Sequence, residues 1–114
     1  MTQEELNRQL SMNELAHQLR VTSENNGWDI ATMDTWVKDP NKIATKLALV
    51  HSEVSEALEA LRKEDPVNFD EEIADAVIRL LELCDGLGID IYRKIVEKDA
   101  INQKRGFKHG GKRL

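Results

Sequence analysis

Residues 43–62 read IATKLALVHSEVSEALEALR, and this stretch decides the fold. Its apolar side chains recur at steps of three and four residues, the period of a helix with one buried face. They are Ile43, Leu47, Val50, Val54, Ala57 and Leu61. Asp39 can cap such a helix, and Pro40 suits its first position. The pattern predicts a long amphipathic helix from about residue 40, ended by a break at residues 63–67 with Pro66 as the stop.

The segment before this helix predicts one more helix and a connector. The helix covers about residues 2–23, although Ser11-x-x-Glu14 resembles an internal capping box that could divide it in two. Asn25-Asn26-Gly27 ends it, because Asn and Gly tolerate the left-handed conformation. The connector that follows has three apolar anchors, which are Trp28, Met33 and Trp36.

The segment after residue 67 predicts two further helices. Asn68-x-x-Glu71 resembles the cap of the first, which ends at residues 85–88. The second covers about residues 90–104. Four helices with short connections favour an antiparallel bundle.

The chain has 114 residues, enough for a single domain over residues 1–114 with one modest core. Aromatic residues make up only 4%, and the abundance of Leu, Ala, Glu and Lys favours an all-helical protein. A bundle this small buries little surface on its own. We therefore expect an all-α, antiparallel four-helix bundle-like fold, assembled as a homodimer or homotetramer.

Charge is unevenly distributed along the chain. Residues 93–114 hold eight Lys or Arg and two acidic residues, a formal charge of +6. Residues 1–92 hold eight Lys or Arg and nineteen acidic residues, a formal charge of −11. The basic end includes a glycine-containing tail at about residues 106–114. Such an end suits a metal-bound polyphosphate, and it equally suits a solvated tail attracted to the acidic body.

Cysteine usage and hydropathy bear on the compartment. Cys84 is the only cysteine, so no internal disulfide forms and a reducing compartment is favoured. The apolar run around it predicts a buried thiol. The N-terminus lacks the apolar core of a signal peptide, and no stretch approaches the roughly 18 apolar residues of a membrane span. The sequence favours a cytoplasmic protein without a membrane partner.

Two carboxylate pairs stand at the edges of the predicted apolar stripes. Glu53-x-x-Glu56 and Glu72-x-x-Asp75 each place two oxygen ligands on one helix face. Two such helices packed together bring four like charges into a small volume, which is unfavourable unless a cation lies between them. Because no Glu-x-x-His motif accompanies them, the set favours Mg²⁺, with Mn²⁺ as a substitute, over iron or zinc.

Ordinary surface acids are the alternative interpretation of these pairs. Glu59 is expected to be one, because Arg62 and Lys63 follow it by three and four residues. Glu53 and Glu56 have no such helical partner, whereas Asp75 has Arg79 four residues later. Two pairs on consecutive helices favour the metal site.

The stretch from Leu47 to Ala60, followed by Glu71-Glu72-Ile73-Ala74-Asp75, resembles the MazG-like nucleotide pyrophosphohydrolases of the all-α nucleoside triphosphate pyrophosphohydrolase superfamily. That family pairs a Glu-x-x-Glu helix with a Glu-x-x-Asp helix. A later Lys-x-x-x-Asn-x-x-Arg stretch is matched by Lys98, Asn102 and Arg105. The resemblance covers roughly residues 40–110.

The resemblance implies a Mg²⁺-dependent hydrolysis of a nucleoside triphosphate to the monophosphate and pyrophosphate. Glu53, Glu56, Glu72 and Asp75 would bind the metal, and Glu53 or Glu56 would orient or deprotonate the attacking water. Lys98, Asn102 and Arg105 would bind phosphate or sugar. The alternative interpretation is that Lys98 and Arg105 only stabilise the C-terminus of their helix, where cations are favoured.

Three further residues are weaker substrate-binding candidates. The resemblance places the first helix and a nearby aromatic in the base pocket, which makes His17 and Trp28 candidates, although Trp in a connector usually packs and His17 suits a surface. Lys46 shares a helix face with Glu53 and could meet phosphate or merely balance the acids.

Other functions stay open at this point. One is a phosphoribosyl-ATP or dUTP-type hydrolase of the same superfamily. Another is a small dimeric regulator whose basic tail binds nucleic acid, a partner that the acidic body disfavours. Gly110-Gly111-Lys112 lacks the context of a phosphate loop, but the tail could close over a bound nucleotide as a lid.

Overall fold

The computed structural model describes residues 1–107, and these form five helices. The helices are α1 (Gln3–Asn25), α2 (Met33–Lys38), α3 (Pro40–Arg62), α4 (Pro66–Gly86) and α5 (Ile91–Arg105). The all-α prediction is confirmed. The count of four was one too low, because the expected connector contains α2. The glycine-rich tail and the proposed lid lie mostly outside the described residues.

The extra helix and the first helix are both explained by capping. At α2, Thr32 and Thr35 form a reciprocal capping box that starts one and a half turns of helix. At α1, the same kind of box is formed by Thr2 and Glu5. The helix then continues through Ser11 without interruption, so the possible division there does not occur.

The break between α3 and α4 is shorter than predicted, because Pro66 begins α4 and does not stop α3. Asp65 accepts a hydrogen bond from the backbone N–H of Asn68, so Asp65 is the cap in place of Asn68. Pro66 then occupies the first turn, where its missing N–H costs nothing. Asp39 precedes Pro40 as predicted, but its side chain makes no capping hydrogen bond.

The helices pack as a bundle centred on α4. This helix contacts both α3 and α1, while α5 contacts α1 and α2 contacts α3. Four side chains form the central apolar cluster, and they are Ala31, Ile43, Leu83 and Leu87. Alanine supplies five of the eight buried apolar residues, so the helices approach closely but enclose little volume.

Much of the apolar stripe predicted to be core remains on the surface. On α3, Ile43 and Ala57 are buried, but Leu47, Val54 and Leu61 are exposed. Ile73, Val77 and Leu80 of α4 and Ile95 and Ile101 of α5 are exposed as well. Cys84 is only partly buried, although burial still raises the pKa of its thiol. Within residues 1–107, no helix is long and apolar enough to cross a membrane.

Candidate metal and nucleotide site

Three of the four predicted carboxylates meet where α3 packs against α4. Glu53 and Glu56 come from α3 and Glu72 from α4, and one carboxylate oxygen of each lies within 4.8 Å of the others. This acidic cluster ranges from buried Glu53 through half-buried Glu72 to exposed Glu56. Within residues 1–107, this is the one group of three or more His, Cys, Asp or Glu side chains whose ligand atoms come this close. Asp75 does not belong to it.

Glu53 is held by a cation from the neighbouring helix. Its Oε1 accepts a hydrogen bond of 2.9 Å from Nε of Arg79. Burial pushes the pKa of Glu53 upward, but hydrogen bonding with Glu72 and Arg79 outweighs burial and leaves that pKa below its usual range. The ion pair with Arg79 thus favours the charged form of Glu53 at the buried end of the cluster.

Glu72 behaves in the opposite way. Hydrogen bonding with Glu56 and then Glu53, followed by burial and charge repulsion from both, raises the pKa of Glu72 to about 7. Its Oε2 is buried and has no hydrogen-bond partner among the described residues. The raised pKa of Glu72 means that the cluster carries less negative charge near neutral pH than three ordinary glutamates would.

These donors fit a hard divalent cation. All are carboxylate oxygens, which Mg²⁺ and Mn²⁺ prefer over the softer ligands of zinc. A bound cation would give the partnerless oxygen of Glu72 a ligand and remove the cost of burying it unpaired. Exposed Glu56 leaves one side of the cluster open to solvent.

A cavity of about 330 Å³ lies beside α3 and α4. Its wall includes Trp28 from the connector, Lys46 from α3, and Asp75, Arg79 and Glu82 from α4. Asp75 and Arg79 therefore face the cavity from the same helix that carries Glu72. The cavity wall combines an aromatic residue, two cationic residues and three acidic ones, the third being Asp29. An aromatic face beside mixed charges suits a base and a metal-bound phosphate chain.

Lys46 and Gly86 fix the segment that carries Trp28. Nζ of Lys46 donates a 2.6 Å hydrogen bond to the backbone oxygen of Asp29. On the opposite side, Ala31 is buried against α4 at Gly86, where an added Cβ would lie 2.1 Å from the Ala31 oxygen. Only a glycine at that position allows the connector to approach so closely.

The structure places His17 away from the cavity wall. Its Nδ1 lies 3.2 Å from Oδ2 of Asp85, and Arg20 donates to the same carboxylate oxygen at 2.5 Å. Ser23 donates to Glu82 one turn further along α1. These contacts join α1 to α4, so His17 is part of the interhelical packing and does not approach the cluster in this chain.

Lys98, Asn102 and Arg105 are not brought to the acidic cluster either. All three are exposed on α5, which packs against α1. Lys98 and Asn102 border a separate shallow depression along α5 itself. Glu59, by contrast, forms the predicted surface ion pairs with Arg62 and Lys63, at 3.6 and 3.8 Å.

The sequence did not reveal the role of Arg79. At four residues from Asp75 it suggested a helical ion pair, but its guanidinium pairs with Glu53 of α3 instead. A signal was present, because Glu72, Asp75 and Arg79 follow one another at steps of three and four on one face of α4. From the sequence, Gly86 is predicted only to be part of a helix end, because its packing contact carries no sequence signal.

No family model, no curated protein and no solved structure matches this chain.

Proposed function

We propose that the chain is a Mg²⁺-dependent nucleoside triphosphate pyrophosphohydrolase that releases pyrophosphate and a nucleoside monophosphate. The observation that supports it best is the acidic cluster, with the partnerless oxygen of Glu72, beside a cavity lined by Trp28 and Lys46. Glu53, Glu56 and Glu72 would hold the cation, and Asp75 would reach it from the cavity side. Bound Mg²⁺, or Mn²⁺ in its place, would supply positive charge to phosphate oxygens and lower the pKa of water.

The chain's own groups divide the remaining work. Trp28 is 71% exposed and offers an aromatic face for stacking on a base. Lys46 offers an ammonium to phosphate oxygens next to it. Exposed Glu56 would orient a water and accept its proton as the water oxygen bonds to the α-phosphorus. The bond from that phosphorus to the bridging oxygen breaks, and pyrophosphate leaves with the bond's electron pair.

A homo-oligomer is part of the proposal. The chain exposes 8781 Å², whereas a compact monomer of this mass exposes about 6,300 Å². Its radius of gyration is 16.8 Å against about 13 Å for a compact domain of this length. A standard interface covers roughly 800 Å² per partner, so association of two copies through one such interface would remove part of this excess.

The surface for this assembly is the exposed apolar face of the α3–α4 hairpin. It consists of Val54, Leu58, Leu61, Ile73, Val77 and Leu80. We expect Leu58→Glu with Val77→Glu to yield a monomer in light scattering at a concentration where the unmodified chain is a dimer or tetramer. The phosphate-binding role proposed for Lys98, Asn102 and Arg105 requires α5 to approach an acidic cluster, from the same copy or from another.

The test of the reaction is pyrophosphate release from a panel of ribo- and deoxyribonucleoside triphosphates, with Mg²⁺ or EDTA. The variant is Glu56→Gln, and the matched control is Glu59→Gln, one turn further along α3 and paired with Arg62 at the surface. We expect release only with Mg²⁺, at least about 100-fold slower in Glu56→Gln and unchanged in Glu59→Gln. Folded protein that releases no pyrophosphate from any triphosphate would refute the proposal.

A further inference from the structure

Arg79 belongs to two neighbouring regions at once. Its Nε donates to Glu53 within the acidic cluster, while the residue also forms part of the cavity wall together with Lys46. The Glu53 side chain is 11% exposed and that of Arg79 is 39% exposed. The ion pair is thus shielded on the carboxylate side and open on the guanidinium side.

A divalent cation at the acidic cluster would compete with this ion pair. Both positive groups need the oxygens of Glu53, and a guanidinium within a few ångströms of a doubly charged ion is repelled. Arginine has a long flexible stem and a planar fork of N–H donors, so its head can leave one oxygen and find another acceptor. The cavity beside it is where the phosphate chain of the proposed substrate would lie.

We propose that Arg79 is a resident counter-ion of the acidic cluster that a divalent cation displaces from Glu53, after which its guanidinium binds phosphate in the cavity. This inference rests on the proposed function and adds a residue to the same site. In the metal-free state Arg79 offsets part of the negative charge. When the cation is bound, the positive charge of Arg79 is available to the anionic ligand instead of Glu53. Metal binding therefore prepares the phosphate site.

The opposite role gives the opposite result. Hydrogen-bond partners of metal ligands commonly hold those ligands in orientation, and their removal weakens metal binding. If Arg79 only orients Glu53, Arg79→Gln will bind Mg²⁺ less tightly. If Arg79 competes with the cation, the same substitution will bind Mg²⁺ more tightly. The sign of the change separates the two roles without any measurement of activity.

The first experiment is calorimetric titration of the full chain with Mg²⁺ alone. Compared with the unmodified chain, we expect about tenfold tighter binding in Arg79→Gln, since one nearby positive charge is lost. Arg79→Lys keeps the charge and should stay within about threefold. Arg93→Gln is the control, because Arg93 pairs with Glu97 on α5, away from the cluster, and it should change nothing.

Unchanged or weaker Mg²⁺ binding in Arg79→Gln, with binding retained by the unmodified chain, would overturn the counter-ion role and leave the proposed function standing. Absence of Mg²⁺ binding in every protein, including the unmodified chain, would overturn both.

The second experiment uses inorganic pyrophosphate as the probe. With Mg²⁺ present, we expect Arg79→Gln to bind pyrophosphate about tenfold more weakly than the unmodified chain. Arg79→Lys should bind it severalfold more weakly, because Lys lacks the bidentate fork of Arg. In EDTA the substitutions should have little effect, since Glu53 then holds Arg79. An equal effect with and without Mg²⁺ would overturn the displacement. Arg79→Lys keeps a positive charge beside Glu53, so this arm stands even if Arg79→Gln does not fold.

Discussion

The contact at Gly86 gives a prediction whose size follows from one distance. In Gly86→Ala the new Cβ would lie 2.1 Å from the backbone oxygen of Ala31 and 3.3 Å from Cγ2 of Ile30. An ordinary contact between a carbon and an oxygen is about 3.4 Å, so the connector must move by more than 1 Å. Its neighbour Ala31 is 2% exposed and belongs to the central apolar cluster, which leaves no direction that is free of cost.

The expected loss of stability exceeds the gain that alanine brings to a helix. Gly→Ala in a helix interior stabilises by up to about 1 kcal/mol, whereas overpacking of a core position costs about 1–3 kcal/mol and more when backbone must move. We expect a net loss of about 1–3 kcal/mol in the free energy of unfolding, or a fall in Tm of roughly 5–15 °C. Thermal unfolding followed by circular dichroism measures it.

The control for this prediction is Gly88→Asn. Gly88 has a φ of +71° but no atom within 4 Å of an added Cβ, and Asn tolerates that conformation best after glycine. It should lower stability by less than about 1 kcal/mol. A Tm of Gly86→Ala equal to or above that of the unmodified chain would refute the close approach of the connector to α4.

Three further predictions follow from the site and the helix junctions. In EDTA, the raised pKa of Glu72 contributes stability that is fully present below the ordinary glutamate pKa of 4.5 and is lost as the pH rises to about 7. The Tm of the unmodified chain should therefore fall over that pH range relative to the Tm of Glu72→Gln. Adding Mg²⁺ should restore the lost Tm. Trp28→Ala should weaken nucleotide binding about tenfold or more while changing stability by less than about 0.5 kcal/mol. Trp36, which is also exposed but lies on α2 and outside the cavity wall, provides the control, and Trp36→Ala should leave binding unchanged. Asp90→Ala should lower the Tm more than Asp65→Ala does, because both residues cap a helix but Asp90 also accepts hydrogen bonds from Gln9 and Asn13 of α1.

The helices were predictable because they rest on local signals. The three- and four-residue steps of α3 and the Pro40 start are properties of consecutive residues, and the structure confirms them. The start of α4 was missed because Asp65-Pro66 can end one helix or begin the next, and the choice depends on a hydrogen bond from Asn68. Helix α2 is only six residues long, too short for a periodic signal.

Tertiary contacts account for what the sequence could not provide at the site. The Glu-x-x-Glu spacing places Glu53 and Glu56 on one face of α3, and Glu72 joins them through the packing of α4. The same packing gives Arg79 to Glu53 although Asp75 is nearer along the helix. Hydrophobic periodicity shows which face of α3 is apolar. It does not show which part of that face packs against other helices of the same chain and which part stays exposed.

The attachment of α5 at one end has a consequence for amide hydrogen exchange. None of the residues in Ile91–Arg105 is buried, and the side-chain hydrogen bonds to α1 are concentrated at Asp90, just before its first turn. A helix of 15 residues is only marginally stable without packing along its length. Its amides should therefore exchange progressively faster toward Arg105 in the separated chain and slow down when another surface covers it. The exchange gradient along α5, set against constant protection in α4, would report the assembly of this protein residue by residue.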